Sequence, residues 1–249
     1  MTRTERQRID KLLVSLGLAE TRTKAQALVM AGDVLVDERR VEKPSETYSP
    51  DRNVRLKSDS RESRYVGRGG LKLEHALREF HICLDAYVCL DVGSSTGGFT
   101  DCLLKHGAER VFAVDAGTNQ LVWSLRNDPR VRVLENTNAR YLDPSDFETR
   151  FELITVDVSF ISVTKILGAL LPLLKPEGTV IVLIKPQFEV GKGEVGKGGV
   201  VKDPAKHEMV IEAVAKAAHA AGLCVSAVVE SPILGSKGNK EFLMHLRIG

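Results

Sequence analysis

Short apolar runs alternate with stretches of helical apolar spacing along most of the chain after residue 70. The apolar runs predict seven strands, at residues 87–92, 110–114, 131–134, 153–156, 179–184, 225–230 and 241–247. The helical spacing predicts helices at residues 71–80, 99–106, 163–171 and 204–221. Because strands and helices alternate, we expect an α/β fold with a largely parallel, doubly wound sheet.

The pattern before residue 60 is different. Apolar spacing predicts helices at residues 5–16 and 24–30, and Gly17 and Gly32 follow them as stop signals. Alternation predicts short strands at 33–37 and 53–57. We therefore predict a small α+β domain over residues 1–60, a polar, basic and glycine-containing linker over 61–68, and the α/β domain over 69–249.

Charge is distributed unevenly over a chain of 249 residues whose net charge is only +2. Residues 1–72 carry 16 lysines and arginines against 11 aspartates and glutamates, whereas residues 73–249 carry 19 against 22. A basic front part suits a polyanionic partner. No apolar run approaches the roughly 18 residues of a membrane span, and residues 1–10 lack a signal-peptide core, so we expect a cytoplasmic protein without membrane contact.

Cysteine and histidine usage does not indicate a metal site. The four cysteines form no C-x-x-C pair and have apolar neighbours, which predicts small buried core residues. We expect His75, His81 and His207 to lie at the surface or partly buried, without a catalytic role. No His/Cys cluster is present, and no metal is predicted.

The segment VCLDVGSSTGGFTDCLL at residues 88–104 predicts a cofactor site. A strand runs into Asp91, and Gly93, Gly97 and Gly98 precede a helix, so the backbone can turn tightly and approach a ligand. Asp115 ends the next strand, where its carboxylate can accept hydrogen bonds from ribose hydroxyls. The spacing G-x-x-x-G-G differs from the G-x-G-x-x-G of dinucleotide enzymes. It favours S-adenosylmethionine; a nicotinamide cofactor or a structural glycine turn is the weaker alternative.

A second glycine-rich segment, GKGEVGKG at residues 191–198, nearly matches the P-loop pattern. Gly198 stands where that pattern has serine or threonine, so the magnesium-binding hydroxyl is missing. We predict a mobile, basic loop near the active site instead of a phosphate-binding loop.

Four charged residues accompany the predicted strands and the first helix of the α/β part. Asp157 and Lys185 follow apolar strands, Glu241 opens the last strand, and Lys72 lies in the helix. Residues at the carboxyl ends of neighbouring strands converge on the ligand crevice of such a sheet. Lys72 alone fits a surface helix lysine and Glu241 alone is unremarkable, whereas Lys185 and Asp157, each after an apolar strand, suit either a functional or a structural role. A neutral lysine there can take a proton from a hydroxyl. We predict Lys185 as the base or the group that stabilises the alkoxide, with Lys72 acting on it by charge repulsion and Asp157 and Glu241 orienting both lysines.

At these positions the sequence resembles a known family. The catalytic half resembles the FtsJ-like ribose 2′-O-methyltransferases, and the whole chain resembles the TlyA family, through GRGGLKLEHAL, LDVGSSTGGFTDCLL, VDVSFIS and LIKPQFE. The segment RIDKLLVSLGLAETRTKAQALVMAGDVLVD is similar to S4 RNA-binding domains. The resemblance implies a class I, Rossmann-like methyltransferase with a mostly parallel seven-stranded sheet and a small S4-like domain. It places the family's K-D-K-E tetrad on Lys72, Asp157, Lys185 and Glu241.

The same resemblance implies 2′-O-methylation of cytidine in ribosomal RNA, of the small subunit, the large subunit or both, with S-adenosylmethionine as the methyl donor. The predicted cofactor-binding residues are Asp91, Gly93, Ser94, Ser95, Thr96, Gly97, Gly98, Phe99, Asp115, Asn138 and Asp157. The predicted RNA-binding residues, with an ordinary solvated helix face as the alternative, are Arg6, Arg8, Lys11, Arg22, Lys24, Arg64 and Arg68. We expect the last two, with Lys72, to continue a positive path toward the active site.

Two other classes of function remain open from the sequence. One is an RNA-binding or ribosome-assembly protein without catalysis, which would not bind the methyl donor. The other is a haemolysin-like, membrane-active protein, against which the lack of an apolar or strongly amphipathic segment argues.

Overall fold

The computed structural model describes residues 6–19, 21–56, 64–191, 193–196 and 198–249; the side chains of Ala31 and Ser236 lie outside that description. The chain divides into two compact units, Met1–Arg64 and Tyr65–Gly249. The division falls inside the predicted linker, of which residues 61–63 lie outside the described part.

The first unit has an α+β fold with a small core of its own. Its elements are β1 Gln7–Arg8, α1 Ile9–Ser15, α2 Arg22–Ala31, β2 Val34–Val36, β3 Arg39–Arg40, β4 Thr47–Tyr48 and β5 Val54–Leu56. The helix α2 begins where the Thr21 hydroxyl accepts a hydrogen bond from the Lys24 amide, and it ends at Gly32 with φ +77°. The first helix begins at Ile9, later than the predicted residue 5, because Gln7 and Arg8 pair with β4 as the strand β1; residue 5 itself lies outside the described residues. The small α+β fold is confirmed.

The second unit alternates strands and helices. Its elements are α3 Gly69–Glu79, β6 Val88–Val92, α4 Gly98–Lys105, β7 Arg110–Val114, α5 Trp123–Arg126, β8 Val131–Leu134, β9 Phe151–Val156, α6 Leu167–Leu170, β10 Leu174–Ile184, α7 Pro186–Glu189, α8 Pro204–Ala220, β11 Leu223–Glu230 and β12 Phe242–Ile248.

The strands of the second unit form one seven-stranded sheet in the order β11-β12-β10-β9-β6-β7-β8. The strand β12 is antiparallel to both neighbours, and the strands from β10 to β8 are parallel. The mostly parallel seven-stranded sheet is therefore confirmed. The central strands are buried on both faces between two apolar clusters, which explains why they are continuous apolar runs in the sequence.

Two predicted elements differ from the structure. The helix predicted at 163–171 is replaced by a 3₁₀ turn, the four-residue α6 and a second 3₁₀ turn that contains Pro172. Gly168 and Pro172 oppose a continuous helix there. The strand β10 starts at Leu174, before the predicted residue 179, because Leu174 already pairs with Phe151 despite the intervening proline and glycine.

The expectation for the cysteines was half wrong. Cys89 and Cys102 are buried, but Cys83 and Cys224 are exposed, in the α3–β6 connection and on the edge strand β11 respectively. His207 is also more buried than expected, because its ring nitrogen hydrogen bonds to the Val201 carbonyl at 2.9 Å.

Neither a membrane span nor a metal cluster is found in the described ranges. There, no helix combines the length and the hydropathy needed to cross a bilayer. Nor do three His, Cys, Asp or Glu side chains in those ranges converge as metal ligands.

Candidate active site

A cavity of about 420 Å³ lies at the carboxyl ends of β6, β7 and β9. Its walls come from four segments near residues 92–95, 114–120, 137–139 and 157–166. Binding sites in sheets of this kind lie at the carboxyl ends of the strands, because the loops that leave neighbouring strands diverge there. The position and size of the cavity suit a nucleoside-sized ligand.

The glycine-rich loop requires glycine at two of its positions. Gly93 has φ +88°, and a Cβ there would lie 2.3 Å from the Asp157 carbonyl oxygen. Gly97 has φ +103°, and a Cβ there would lie 2.3 Å from Leu125 Cδ1. The loop therefore packs against the β9 loop and α5 in a conformation closed to side chains.

Asp115 connects the loop after β6 to the loop after β7. One carboxylate oxygen accepts a hydrogen bond from the Ser95 amide at 2.8 Å, and the other accepts one from the Gly117 amide at 2.7 Å. The carboxylate also lines the cavity and keeps further acceptor capacity, since each oxygen has two lone pairs. This placement supports the predicted contact with ribose hydroxyls.

Asp91 differs from its expected position, because it is fully buried and does not line the cavity. Its carboxylate accepts hydrogen bonds from the Thr100 hydroxyl at 2.7 Å and the Thr155 hydroxyl at 3.0 Å. Asp91 thereby links the first turn of α4 to β9 and acts beneath the loop. Burial raises the pKa of Asp91 to about 7.

This pKa predicts a pH dependence of stability that Asp91→Asn should remove. Because the folded-state pKa lies above that of a free aspartate, the neutral carboxyl contributes stability below about pH 4, and this contribution is lost as the pH rises through about 7. Relative to the variant, the wild-type free energy of unfolding should fall by roughly 2–4 kcal/mol over that range. Chemical denaturation of both proteins at several pH values measures this difference. Parallel pH profiles would contradict it.

The predicted cofactor residues other than Asp91 and Gly97 lie at two adjoining cavities, whereas Gly97 packs against Leu125 and borders neither. Gly93, Ser95 and Asp157 border both the large cavity and a neighbouring one of about 180 Å³. Asn138 lines only the large cavity. The small cavity is also bordered by Ser94, Thr96, Gly98 and Phe99.

Sequence reasoning missed several residues of the large cavity. They share a position in loops that follow strands, and they include Gln120, Thr137, Ser159, Phe160, Ile161 and Ile166. The only available signal was their closeness in sequence to Asp115, Asn138 and Asp157.

Lys185 and Asp157 form an ion pair where the two cavities adjoin. Lys185 Nζ lies 2.5 Å from Asp157 Oδ1 and donates a hydrogen bond to Ser159 Oγ at 2.9 Å. The ammonium also lies 6.0 Å from the centroid of the Phe188 ring. The Ser159 contact has hydrogen-bond geometry, whereas Asp157 Oδ1 pairs with the ammonium as an ion pair without a hydrogen bond. Lys185 therefore keeps N–H capacity for a substrate.

Lys72 and Glu241 form a second, buried ion pair. Lys72 Nζ lies 2.5 Å from Glu241 Oε2, and the two side chains are only 10% and 2% exposed. Glu241 also packs closely on Gly235, where a Cβ would overlap the carboxylate. Lys72 is therefore not part of an exposed positive path, because its ammonium is directed to a buried carboxylate.

The two ion pairs lie on neighbouring elements. The last register pair of β10 and β12 joins Ile184 to Phe242, so Lys185 and Glu241 are the next residues on adjacent strands. The start of α3 approaches the other pair, since a Cβ on Gly69 would lie 3.8 Å from Asp157 Oδ2. All four predicted catalytic residues thus lie near the carboxyl end of β9 and β10. They form two separate pairs, Lys185 with Asp157 and Lys72 with Glu241.

The family models match the two units separately. The FtsJ-like methyltransferase model matches residues 65–248, and the S4 domain model matches residues 7–54. Over 242 residues, 97% of this chain and 90% of the relative, the sequence is 46% identical to the 16S/23S rRNA (cytidine-2′-O)-methyltransferase TlyA of Mycobacterium tuberculosis. The chain belongs to the TlyA family of FtsJ-like methyltransferases.

Other relatives of this TlyA-family chain carry more than one description. YqxC of Bacillus subtilis, described as a candidate rRNA methyltransferase, is 48% identical over 98% of this chain and 86% of its own length. A solved structure from Streptococcus thermophilus, described as a candidate haemolysin, has 45% identity and a TM-score of 0.75 over 99% of this chain and 90% of its own.

The S4 unit of this TlyA-family chain organises two predicted RNA-binding arginines around a buried carboxylate. Arg8 donates two hydrogen bonds to Asp10, at 2.9 and 3.1 Å, while Arg22 donates one at 2.9 Å and Gln26 one at 3.0 Å. The Arg8 guanidinium is the main reason that the pKa of Asp10 lies well below its usual range. The two arginine side chains remain 39% and 52% exposed, so they are fixed in place but still accessible.

The other predicted RNA-binding residues are exposed. Lys11 and Lys24 lie on α1 and α2, and Arg64 ends the first unit. Arg6 donates a hydrogen bond to the Thr47 carbonyl at 2.6 Å, and Arg68 donates one to the Leu234 carbonyl at 2.9 Å. Their role in RNA binding stays a prediction.

The glycine-rich segment at 191–198 does not have the structure of a P-loop. The next helix, α8, begins only at Pro204, so no helix N-terminus follows the glycines directly. The two lysines of the predicted basic loop, Lys192 and Lys197, lie outside the described residues.

Proposed function

We propose that the protein transfers the methyl group of S-adenosylmethionine to the ribose 2′-hydroxyl of a cytidine in ribosomal RNA. The observation that carries this proposal is the Lys185–Asp157 pair at the boundary of two adjoining cavities. A lysine in that position can act on a hydroxyl in the small cavity while a methyl donor occupies the large one.

The residues of the large cavity fit S-adenosylmethionine. Asp115 offers a carboxylate for the ribose hydroxyls, and Asn138 adds a polar group on the opposite segment. Val114, Ile161 and Ile166 offer apolar surface for the adenine ring. Gly93 has no side chain and its backbone packs closely on that of Asp157, so a ligand can approach the backbone of the loop. Bound there, the donor would supply an electrophilic methyl group on a sulfonium.

The chain contributes orientation and proton handling. Lys185 either receives the proton of the 2′-hydroxyl as a neutral amine or, as an ammonium, stabilises the developing alkoxide, while Asp157 and Ser159 fix the direction of its Nζ. The Lys72–Glu241 pair lies behind the site, where it supports the start of α3 and the start of β12. Rate enhancement in this arrangement comes largely from alignment of the hydroxyl with the methyl group.

The choice of ribosomal RNA rests on the relatives and on the S4 unit. The M. tuberculosis relative is described as acting on cytidine in 16S and 23S rRNA. An S4-type unit with arginines fixed around Asp10 offers a rigid, cationic surface for RNA phosphates. We propose that this unit binds structured rRNA and that the target nucleotide is flipped out toward Lys185.

Phe160 should stack on the flipped base. Its side chain is 92% exposed at the edge of the large cavity, its backbone has φ +66°, and its ring lies 5.3 Å from that of Phe188. An aromatic ring held outward next to Lys185 suits a splayed base, and stacking is worth about 1–3 kcal/mol per base. Phe160→Ala should therefore lower kcat/KM for RNA by about 5- to 100-fold.

The matched control is Trp123→Ala, which removes an equally exposed aromatic ring (78%) that borders neither cavity. Steady-state kinetics of both variants with ribosomal subunits gives the comparison. Equal effects of the two substitutions would argue against stacking at Phe160.

The proposal is tested by mapping 2′-O-methyl groups in ribosomal RNA from cells with and without the gene. We expect at least one cytidine to lose its methyl group in the absence of the gene. The mapped position then distinguishes the small subunit, the large subunit or both. Identical methylation maps would contradict the proposed function.

The two other functions considered from the sequence make different predictions. An RNA-binding protein without catalysis would show no heat of binding with S-adenosylmethionine in calorimetry, whereas we expect binding. A membrane-active protein would release dye from liposomes. We expect no release at protein concentrations that saturate methyl transfer.

A further inference from the structure

Asp157 and Lys185 lie where their loops leave the sheet. The Asp157 amide still donates a hydrogen bond to the Val92 carbonyl at 2.9 Å, and Lys185 follows Ile184, the last residue of β10 that pairs with β12. The parallel register of β9 and β10 ends earlier, at Val156 and Val182, and Ser159 lies further along its loop. Contacts between the two loops therefore add to the Lys185 geometry that the strands begin to fix.

Glu189 provides such a contact. Its Oε2 accepts a hydrogen bond from Ser162 Oγ at 2.5 Å, and its Oε1 accepts one from the Val163 amide at 2.9 Å. Both oxygens of one carboxylate thus hold the far end of the loop that starts at Asp157. Two hydrogen bonds from one rigid group fix both position and orientation.

Glu189 is itself tied to Lys185. It is the last residue of α7, and Lys185 is the N-cap of that helix. The Phe188 amide donates a hydrogen bond to the Lys185 carbonyl at 2.8 Å, which closes the turn. The Phe188 ring also contacts the Phe160 ring on the opposite loop. The two loops are therefore joined at Lys185, at Phe188 and at Glu189.

The carboxylate is retained although its surroundings disfavour a charge. Burial raises the pKa of Glu189, and the ion pairs found in the described ranges do not include it. Its hydrogen bonds to Ser162 and Val163 partly offset that cost, because hydrogen bonds to an ionised acceptor are stronger than neutral ones. A half-buried carboxylate without a cation is a weak choice for stability alone. Its two hydrogen bonds point instead to a role in joining the loops that carry Asp157 and Lys185.

We propose that Glu189 is a positioning residue for methyl transfer. It holds the loop from Asp157 to Val163 against the α7 turn, so that the Asp157 ion pair and the Ser159 hydrogen bond direct Lys185 Nζ toward the 2′-hydroxyl. This inference rests on the proposed methyl transfer, and it adds a residue outside the K-D-K-E set that acts through Lys185.

The test compares Glu189→Ala, Glu189→Gln and the control Glu212→Ala, an exposed carboxylate on α8. Ribosomal subunits from cells lacking the gene serve as substrate, with S-adenosylmethionine at saturation. Glu189→Ala should lower kcat by about 10- to 100-fold, because small misplacements of a reacting group have effects of this size. The KM for the donor and the melting temperature should change much less. Glu189→Gln should restore kcat to within about tenfold of wild type, because its amide oxygen can still accept one hydrogen bond.

A second variant protects the test against misfolding. Ser162→Ala removes one of the two hydrogen bonds to Glu189, together with the Ser162 contacts to Thr164, and in a Glu189→Ala background it should lower kcat no further. Wild-type kcat in Glu189→Ala would overturn the inference, as would a kcat loss that multiplies fully in the double variant. Absence of methyl transfer by the wild-type protein would instead refute the proposed function itself.

Discussion

Replacing Lys185 by alanine should lower the rate of methyl transfer by at least about a thousandfold, within the range that general acid–base groups contribute. The substitution removes the group at the boundary of the two cavities, together with both of its contacts, to Asp157 and Ser159. Binding of S-adenosylmethionine should change by no more than about threefold, because Lys185 does not border the large cavity. Single-turnover rates and calorimetric donor binding measure the two effects separately.

Two further variants sharpen this prediction. Lys216→Ala, on α8 and outside both cavities, is the control for loss of a lysine and should keep full activity. Lys185→Arg keeps the positive charge but cannot release a proton at neutral pH, so it should remain as slow as the alanine variant if Lys185 is the base. Recovery of activity with arginine would assign the residue to electrostatic stabilisation. Full activity of Lys185→Ala would contradict the mechanism.

The second large effect is expected for Gly93→Ala. The new methyl group would lie 2.3 Å from the Asp157 carbonyl oxygen, and the backbone there has φ +88°. Backbone atoms on both sides cannot move without displacing the loop, and overpacking together with a left-handed φ costs roughly 2–5 kcal/mol. We expect affinity for S-adenosylmethionine to fall by at least about 100-fold and the melting temperature to fall by several degrees.

Gly193→Ala is the matched control for this substitution. Gly193 has the same φ of +88°, but a Cβ there meets nothing within 4 Å. The difference between the two variants therefore isolates the contact with Asp157 from the backbone strain. Equal losses of donor affinity in both would show that the close packing at Gly93 does not maintain the site.

Most strands of the sheet were predictable because they follow from local pattern. The strand β7 has the predicted bounds, since a buried parallel strand forms a continuous apolar run, and the edge strand β8 has the predicted bounds although Arg132 interrupts its apolar residues. The glycine loop was predictable for a similar reason, because left-handed backbone at Gly93 and Gly97 leaves a direct mark on the sequence.

The partners of the charged residues were not predictable in the same way. Strand ends placed Asp157, Lys185 and Glu241 at one end of the sheet, and the family resemblance added Lys72 from α3. The separate pairing of each lysine depends on loop conformations. Those conformations are set by contacts such as that of Glu189 with Ser162, between segments distant in sequence. For Asp91 the strand-end position itself gave a wrong prediction. That position predicted a side chain in the cavity, but the side chain is buried and accepts hydrogen bonds from Thr100 and Thr155.

The most direct test of the account is to incubate the purified protein with ribosomal subunits and S-adenosylmethionine carrying a deuterated methyl group, and to analyse the nucleosides by mass spectrometry. The account predicts that the label appears in 2′-O-methylcytidine and that the Lys185→Ala protein gives none. Label on a base, label on another nucleoside, or no label with the wild-type protein would contradict it.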